Sequence, residues 1–130
     1  MYTHGTFVWN ELATTDIHKA KEFYTNALGW EVEQFPVPEG EYLVVKVGDK
    51  YIAGVTPIQR GPVAGATEPY WFPYIEVEDI DARIANAVAS GASVVRPAFD
   101  MPNVGRIAIL RDPTGAAMGW MTSVKAAVPA

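Results

Sequence analysis

Apolar residues along the chain switch between alternation and helical spacing, and the same order of switches occurs twice. Thr6 to Ala13 reads as a strand, because Phe7, Val8 and Trp9 supply the bulk that suits a pleated surface. Ile17, Ala20, Phe23, Tyr24, Ala27 and Leu28 then recur on one helical face, with Lys19, Lys21 and Glu22 opposite. Asp16 is placed to cap this helix with its carboxylate, and Gly29 to stop it. Trp30 to Phe35, Tyr42 to Val47 and Tyr51 to Pro57 follow as strands. Pro36, Pro38 and Gly40 break the first pair, and Gly48-Asp49-Lys50 turns the second. The first half is therefore βαβββ.

Gln59 to Pro69 carries RGPVAGATEP, without periodicity and rich in Gly and Pro, and reads as a linker. Beyond it the plan repeats. Trp71 to Val77 is a strand, and Asp79 caps a helix with Ile80, Ile84, Ala87 and Val88 on one face, stopping at Gly91. Ser93 to Arg96 is a strand and Pro97 to Gly105 a loop with two prolines. Arg106 to Arg111 and Ala117 to Thr122 are strands on either side of a DPTG turn, and the tail SVKAAVPA frays. FVWNELATTDI (Phe7 to Ile17) and YWFPYIEVEDI (Tyr70 to Ile80) are the two copies of the opening stretch. Pinning Asp16 on Asp79 pairs Trp9 with Phe72, Glu11 with Tyr74, and Ile17 with Ile80. One domain results, from modules about 6–57 and 70–122 joined by 58–69.

Composition narrows the function classes. A chain of 130 residues with 49% hydrophobic and 19% charged residues can bury a real core. A net charge of −5 argues against nucleic acid or an anionic membrane as partner. The chain has no cysteine, hence no disulfide, thiol nucleophile or thiolate metal site. No basic segment followed by an apolar run opens the chain, and no run approaches membrane-spanning length, so the default expectation is cytoplasmic. G-x-S-x-G, the P-loop and G-x-G-x-x-G are absent.

Three pieces carry a family resemblance: D-x-x-K-A-x-x-F-Y-x-x-x-L-G-W (Asp16 to Trp30), V-x-D-I-D (Val77 to Asp81) and V-G-R-x-A-x-L-x-D-P-x-G-A (Val104 to Ala116). With the doubled βαβββ plan, they make the chain resemble the vicinal oxygen chelate superfamily from Phe7 to Met121. That group includes glyoxalase I, extradiol dioxygenases, fosfomycin and bleomycin resistance proteins and methylmalonyl-CoA epimerase. The resemblance implies an α+β fold, with two βαβββ modules forming a cupped eight-stranded mixed sheet around a small-molecule cavity. It also implies a homodimer. It does not by itself fix the chemistry.

Function in that superfamily usually rests on a divalent metal held by His, Gln or Glu. The resemblance puts its ligand positions here at Trp9, Gly54, Phe72 and Gly119, none of which carries a donor. Zn²⁺ and Fe²⁺ sites need about three protein N, O or S donors. His4 and His18 have no carboxylate at ligand spacing on their own elements and read as solvent-exposed. The expectation is no metal and no other cofactor. Alternation puts Trp9, Glu11 and Ala13 on one strand face, and Phe72, Tyr74 and Glu76 on one face of the second copy. By resemblance those faces line the cavity and bring Trp9 and Phe72 together, with Glu11 and Tyr74 beside them and Arg106 contributing a guanidinium. Such a face suits a small ligand, and equally suits a core filled by aromatics with Glu11 bonded to backbone.

Three functions follow. The first is a metal-free module binding an aromatic or amphipathic small molecule through Trp9, Glu11, Phe72, Tyr74 and Arg106. The second is a glyoxalase-like lyase or isomerase, or a dioxygenase-related enzyme, with Glu11 as catalytic base or with displaced metal ligands. The third is an interaction subunit. The donor-free positions favour the first.

Overall fold

A computed structural model describes residues 2–124. Ten elements follow one another: β1 (Phe7–Thr14), α1 (Ile17–Leu28), β2 (Glu31–Gln34), β3 (Leu43–Val47), β4 (Lys50–Pro57), β5 (Tyr70–Glu76), α2 (Ile80–Ala89), β6 (Ser93–Met101), β7 (Gly105–Arg111) and β8 (Ala117–Ser123). A single 3-10 turn, Ile58–Arg60, opens the linker. The expected α+β fold is present: eight strands in mixed parallel and antiparallel pairing, with two helices. No helix among the described residues is long and apolar enough to cross a membrane. Of the tail read as frayed, residues 125–130 lie outside the described residues.

The chain divides into two compact units at positions inside the aromatic strands, not at the linker. Residues 9–72 form one. Residues 2–8 form the other with 73–124, because Gly5 donates its N–H to Glu76 (2.7 Å) and Glu76 donates its own to Thr6 (2.8 Å).

In the unit 9–72 the strand order is β2-β3-β4-β1. β1 runs parallel to β4, with Glu11 opposite Gly54, and the other pairings are antiparallel. Leu12, Leu43, Val45, Ala53 and Val55 point to α1 and bury Ile17, with Ala20 and Tyr24 packed against them. Asp16 caps α1 by accepting the Lys19 N–H at 3.0 Å, and Gly29 ends it at φ 72°, a left-handed turn that costs glycine nothing. The helix face is only partly covered, leaving Phe23 60% and Leu28 59% exposed.

In the unit 2–8 with 73–124 the order is β5-β8-β7-β6. β5 runs parallel to β8, with Tyr74 opposite Gly119. Val77, Ile80, Ala108 and Leu110 form the core under α2, with Ile75, Ile84, Met118 and Trp120 around it. The DPTG stretch is the β7–β8 turn: Asp112 accepts from Thr114 N (2.8 Å), Thr114 Oγ1 (2.6 Å) and Ala116 N (3.1 Å). Those bonds, the Thr114 hydroxyl foremost, hold the Asp112 carboxyl below its ordinary range.

The expected loop Pro97–Gly105 is mostly strand, since β6 continues to Met101. β6 is an edge strand, and its register against β7 slips between Val94 and Arg96 and again between Arg96 and Phe99. Pro97 falls in that irregular stretch, where a missing N–H breaks no regular ladder.

Candidate functional site

Which face a strand residue occupies follows from its neighbours. Leu12 packs toward α1, so Trp9, Glu11 and Ala13 point away from it. Trp71 also packs toward α1, with its ring edge-on to Tyr24 (5.7 Å) and Trp30 (6.1 Å) and its indole N–H donated to the Tyr24 hydroxyl. Tyr70 and Phe72, flanking it, therefore share the face of Trp9 and Glu11. Phe72 is buried and sits edge-on to Tyr70 with centroids 6.4 Å apart.

Two tyrosines converge on Glu11. The Tyr42 hydroxyl donates to Glu11 Oε2 at 2.8 Å, and Phe35 braces the Tyr42 ring edge-on at 6.3 Å. Gly54, beside Glu11 in the register, makes this possible: a Cβ there would lie 1.7 Å from the Tyr42 hydroxyl oxygen. The Tyr70 hydroxyl accepts the Val63 N–H at 2.8 Å. Gly61 admits it, since a Cβ there would lie 2.7 Å from that oxygen and 2.8 Å from Ala13. Burial pushes the Tyr70 phenol up, the Val63 bond pulls it down, and the Glu11 charge pushes it up again, for a net rise. Tyr70 thus stays a protonated phenol at neutral pH beside a carboxylate.

The other unit repeats one part of this arrangement. Met118 and Trp120 face α2, so Gly119 and its partner Tyr74 face away from it. A Cβ on Gly119 would lie 2.2 Å from Tyr74 Cδ2. In each unit, then, a tyrosine occupies the space beside a mid-strand glycine. Glu76 shares the Tyr74 face, is buried, and accepts from Ser123 N (3.0 Å) and Ser123 Oγ (2.5 Å).

Residues 6–118 match the model of the Glyoxalase/Bleomycin resistance protein/Dioxygenase superfamily. The chain belongs to that superfamily. It is 40% identical over 125 residues to CFP32 of Mycobacterium bovis, which carries a provisional glyoxylase name. It is also 37% identical over 112 residues to the anthracycline biosynthesis protein DnrV of Streptomyces peucetius. These alignments take in 94% and 86% of this chain but 48% and 39% of the relatives, so the chain spans about half their length or less. Among solved structures, a hypothetical protein, BH1468 of Bacillus halodurans, superposes with a TM-score of 0.72 at 15% identity, covering 95% of this chain and 97% of that one. A methylmalonyl-CoA epimerase bound to methylmalonyl-CoA gives 0.71 at 20% identity, covering 98% and 100%. Likeness at that identity shows the fold alone.

Superfamily membership implies a divalent metal, and the residues present do not fit one. Positions 54 and 119 lack donors, and the space a ligand side chain would need there is taken by Tyr42 and Tyr74. Among the described residues no group of three or more His, Asp or Glu is gathered to hold an ion. His18 pairs with Glu41 at 3.2 Å on the surface, and His4 Nδ1 accepts the Glu78 N–H at 3.0 Å.

Arg106 departs from expectation. On β7 it shares parity with Ala108 and Leu110, which lie under α2, so it stands on the helix side of the sheet. Its guanidinium grips Asp81 of α2 through Nε (3.0 Å) and Nη2 (3.2 Å), and Asp100 of β6 through Nη1 (3.2 Å). It ties strand to helix and is on the opposite face from Tyr74. Tyr42, Tyr70 and Gly61 were not legible as site residues. The one signal was the mid-strand glycine at 54, which marks a close approach by another group.

Proposed function

We propose that this superfamily member binds a small aromatic or amphipathic molecule without a metal ion, with the Glu11 carboxylate and the Tyr42 hydroxyl anchoring its polar end. The observation that carries this reading is the 2.8 Å Tyr42–Glu11 bond over Gly54, a polar pair at a position where the superfamily's ligand set has no donor in this chain. Trp9, Tyr70 and Phe72 on the same face supply apolar wall, the combination of aromatic surface and few polar groups that small-ligand sites use. The name of DnrV points to fused-ring aromatic chemistry, which such walls suit. Arg106, held by Asp81 and Asp100, drops out of the proposed ligand-binding set. We further propose that two copies associate through surface such as the exposed Phe23 and Leu28 of α1.

A suitable probe is 1,8-dihydroxyanthraquinone, a fused-ring compound with adjacent carbonyl and hydroxyl oxygens, followed by quenching of tryptophan fluorescence. Binding is expected to saturate at one probe per chain, to be indifferent to EDTA, and to weaken roughly tenfold in Glu11→Gln, which loses a charge-assisted hydrogen bond. No saturable binding, or equal binding by Glu11→Gln and Tyr42→Phe, would refute the assignment.

The same contact favours a second reading, in which Glu11 takes a proton from carbon next to a ligand carbonyl while Tyr42 steadies the carboxylate. Deuterium exchange into such a carbon that stops in Glu11→Gln supports it. Binding without exchange leaves the first reading standing.

A further inference from the structure

Beside α2, the face of its sheet opposite Tyr74 is not fully covered. There a cleft of about 350 Å³ opens between the segment at His4 and Gly5, the strands β5 and β8, and α2. Its floor is apolar, since Ile75, Val77 and Trp120 come from the helix-facing side of β5, its end, and β8. Its wall is one stripe of α2 and its C-cap: Arg83, Asn86 and Ala87, with Ser90 just past the last turn, recur three and four residues apart.

The polar groups around it favour one sign of charge. Arg83 contributes a guanidinium, and no ion pair engages it among the described residues. His4 accepts the Glu78 N–H through Nδ1, so its neutral ring must carry the proton on Nε2 and present a donor there. Asn86 and Ser90 add an amide and a hydroxyl, and among the described residues no carboxylate lines the cleft. A donor-rich rim without acid is notable in a chain whose net charge is −5. We propose that this cleft binds a small carboxylate with an apolar ring, its carboxyl group meeting Arg83 and His4 and its ring lying over Ile75 and Trp120. The volume is at the small end for ligand sites and suits a single ring. Planar guanidinium recognises carboxylate with two parallel hydrogen bonds, which lysine would not reproduce.

Benzoate is the probe, with benzylamine and benzyl alcohol as cationic and neutral counterparts of the same ring. In a titration followed by amide and indole NMR resonances, benzoate should shift Gly5, Ser90 and the Trp120 indole saturably. The expected dissociation constant is on the order of 1 mM. Benzylamine should leave those signals unmoved, and Arg83→Gln should weaken benzoate roughly tenfold. Glu11→Gln should bind benzoate as the parent chain does, which separates this cleft from the site around Tyr42. Absence of saturation at ten times that concentration would overturn the proposal. So would equal shifts from all three probes, or unaltered benzoate binding by Arg83→Gln. Because Arg83 is exposed and outside the core under α2, its replacement does not threaten the fold.

Discussion

Gly54→Ala isolates the contact on which the proposed site rests. The new methyl carbon would lie 1.7 Å from the Tyr42 hydroxyl oxygen and 2.4 Å from Tyr42 Cζ. Both atoms are at the far end of a side chain that can swing, so the strain itself is relieved by moving the ring. Moving it breaks the 2.8 Å bond to Glu11, a hydrogen bond to a charged group worth about 1.5–3 kcal/mol. The expected loss of stability is about 2 kcal/mol, read from urea midpoints at constant slope. The decisive variant is the same substitution with Tyr42→Leu, which keeps apolar bulk but ends before the ring tip. With nothing left to strike, alanine should there be neutral or stabilising by about 0.5–1 kcal/mol, because it restricts the unfolded chain more than glycine does. The two substitutions should therefore be coupled by on the order of 2–3 kcal/mol. If Gly54→Ala costs the same with and without the Tyr42 ring, Tyr42 is not what requires glycine at 54, and the reasoning fails.

Gly119→Ala should cost more than Gly54→Ala, about 3 kcal/mol or above in the same urea assay, because its Cβ would meet Tyr74 at Cδ2, Cε2 and Cγ, near the root of the ring. Elemental analysis of purified protein should find no stoichiometric Zn²⁺, Ni²⁺, Mn²⁺ or Fe²⁺; about one metal per chain retained through chelation would reverse that expectation. The Tyr70 phenol is raised in the fold, so the folded state holds that proton more tightly than the unfolded state does. Its contribution is fully present below about pH 10 and is lost as pH rises through the folded value, a slope that Tyr70→Phe should remove from a stability-versus-pH curve. Light scattering at micromolar concentration should give the mass of two chains, and a monomer mass would count against association through α1.

The period of the hydrophobic pattern was enough to place most elements of this protein. Asp16 and Gly29 bracket α1 because a capping carboxylate and a left-handed glycine act within one helical turn of their own position. Alternation likewise put Trp9 and Glu11 on the side of β1 away from α1, since a strand's two faces follow from its neighbours alone. Pro97 was misread because a proline's cost depends on whether its strand has a neighbour on that side, and edge position is a property of the whole sheet. Arg106 was misplaced for a related reason: its strand was known, but which face of that strand α2 would cover was not. Tyr42 is 31 residues from Glu11, and Tyr70 hydrogen-bonds a residue of the linker, so neither encounter has a local signature. The sequence alone determined the doubled βαβββ order, the helix ends and the donor-free positions 54 and 119. Only the tertiary structure decided what fills the room those glycines leave, because that depends on which distant side chain the folded sheet brings over them.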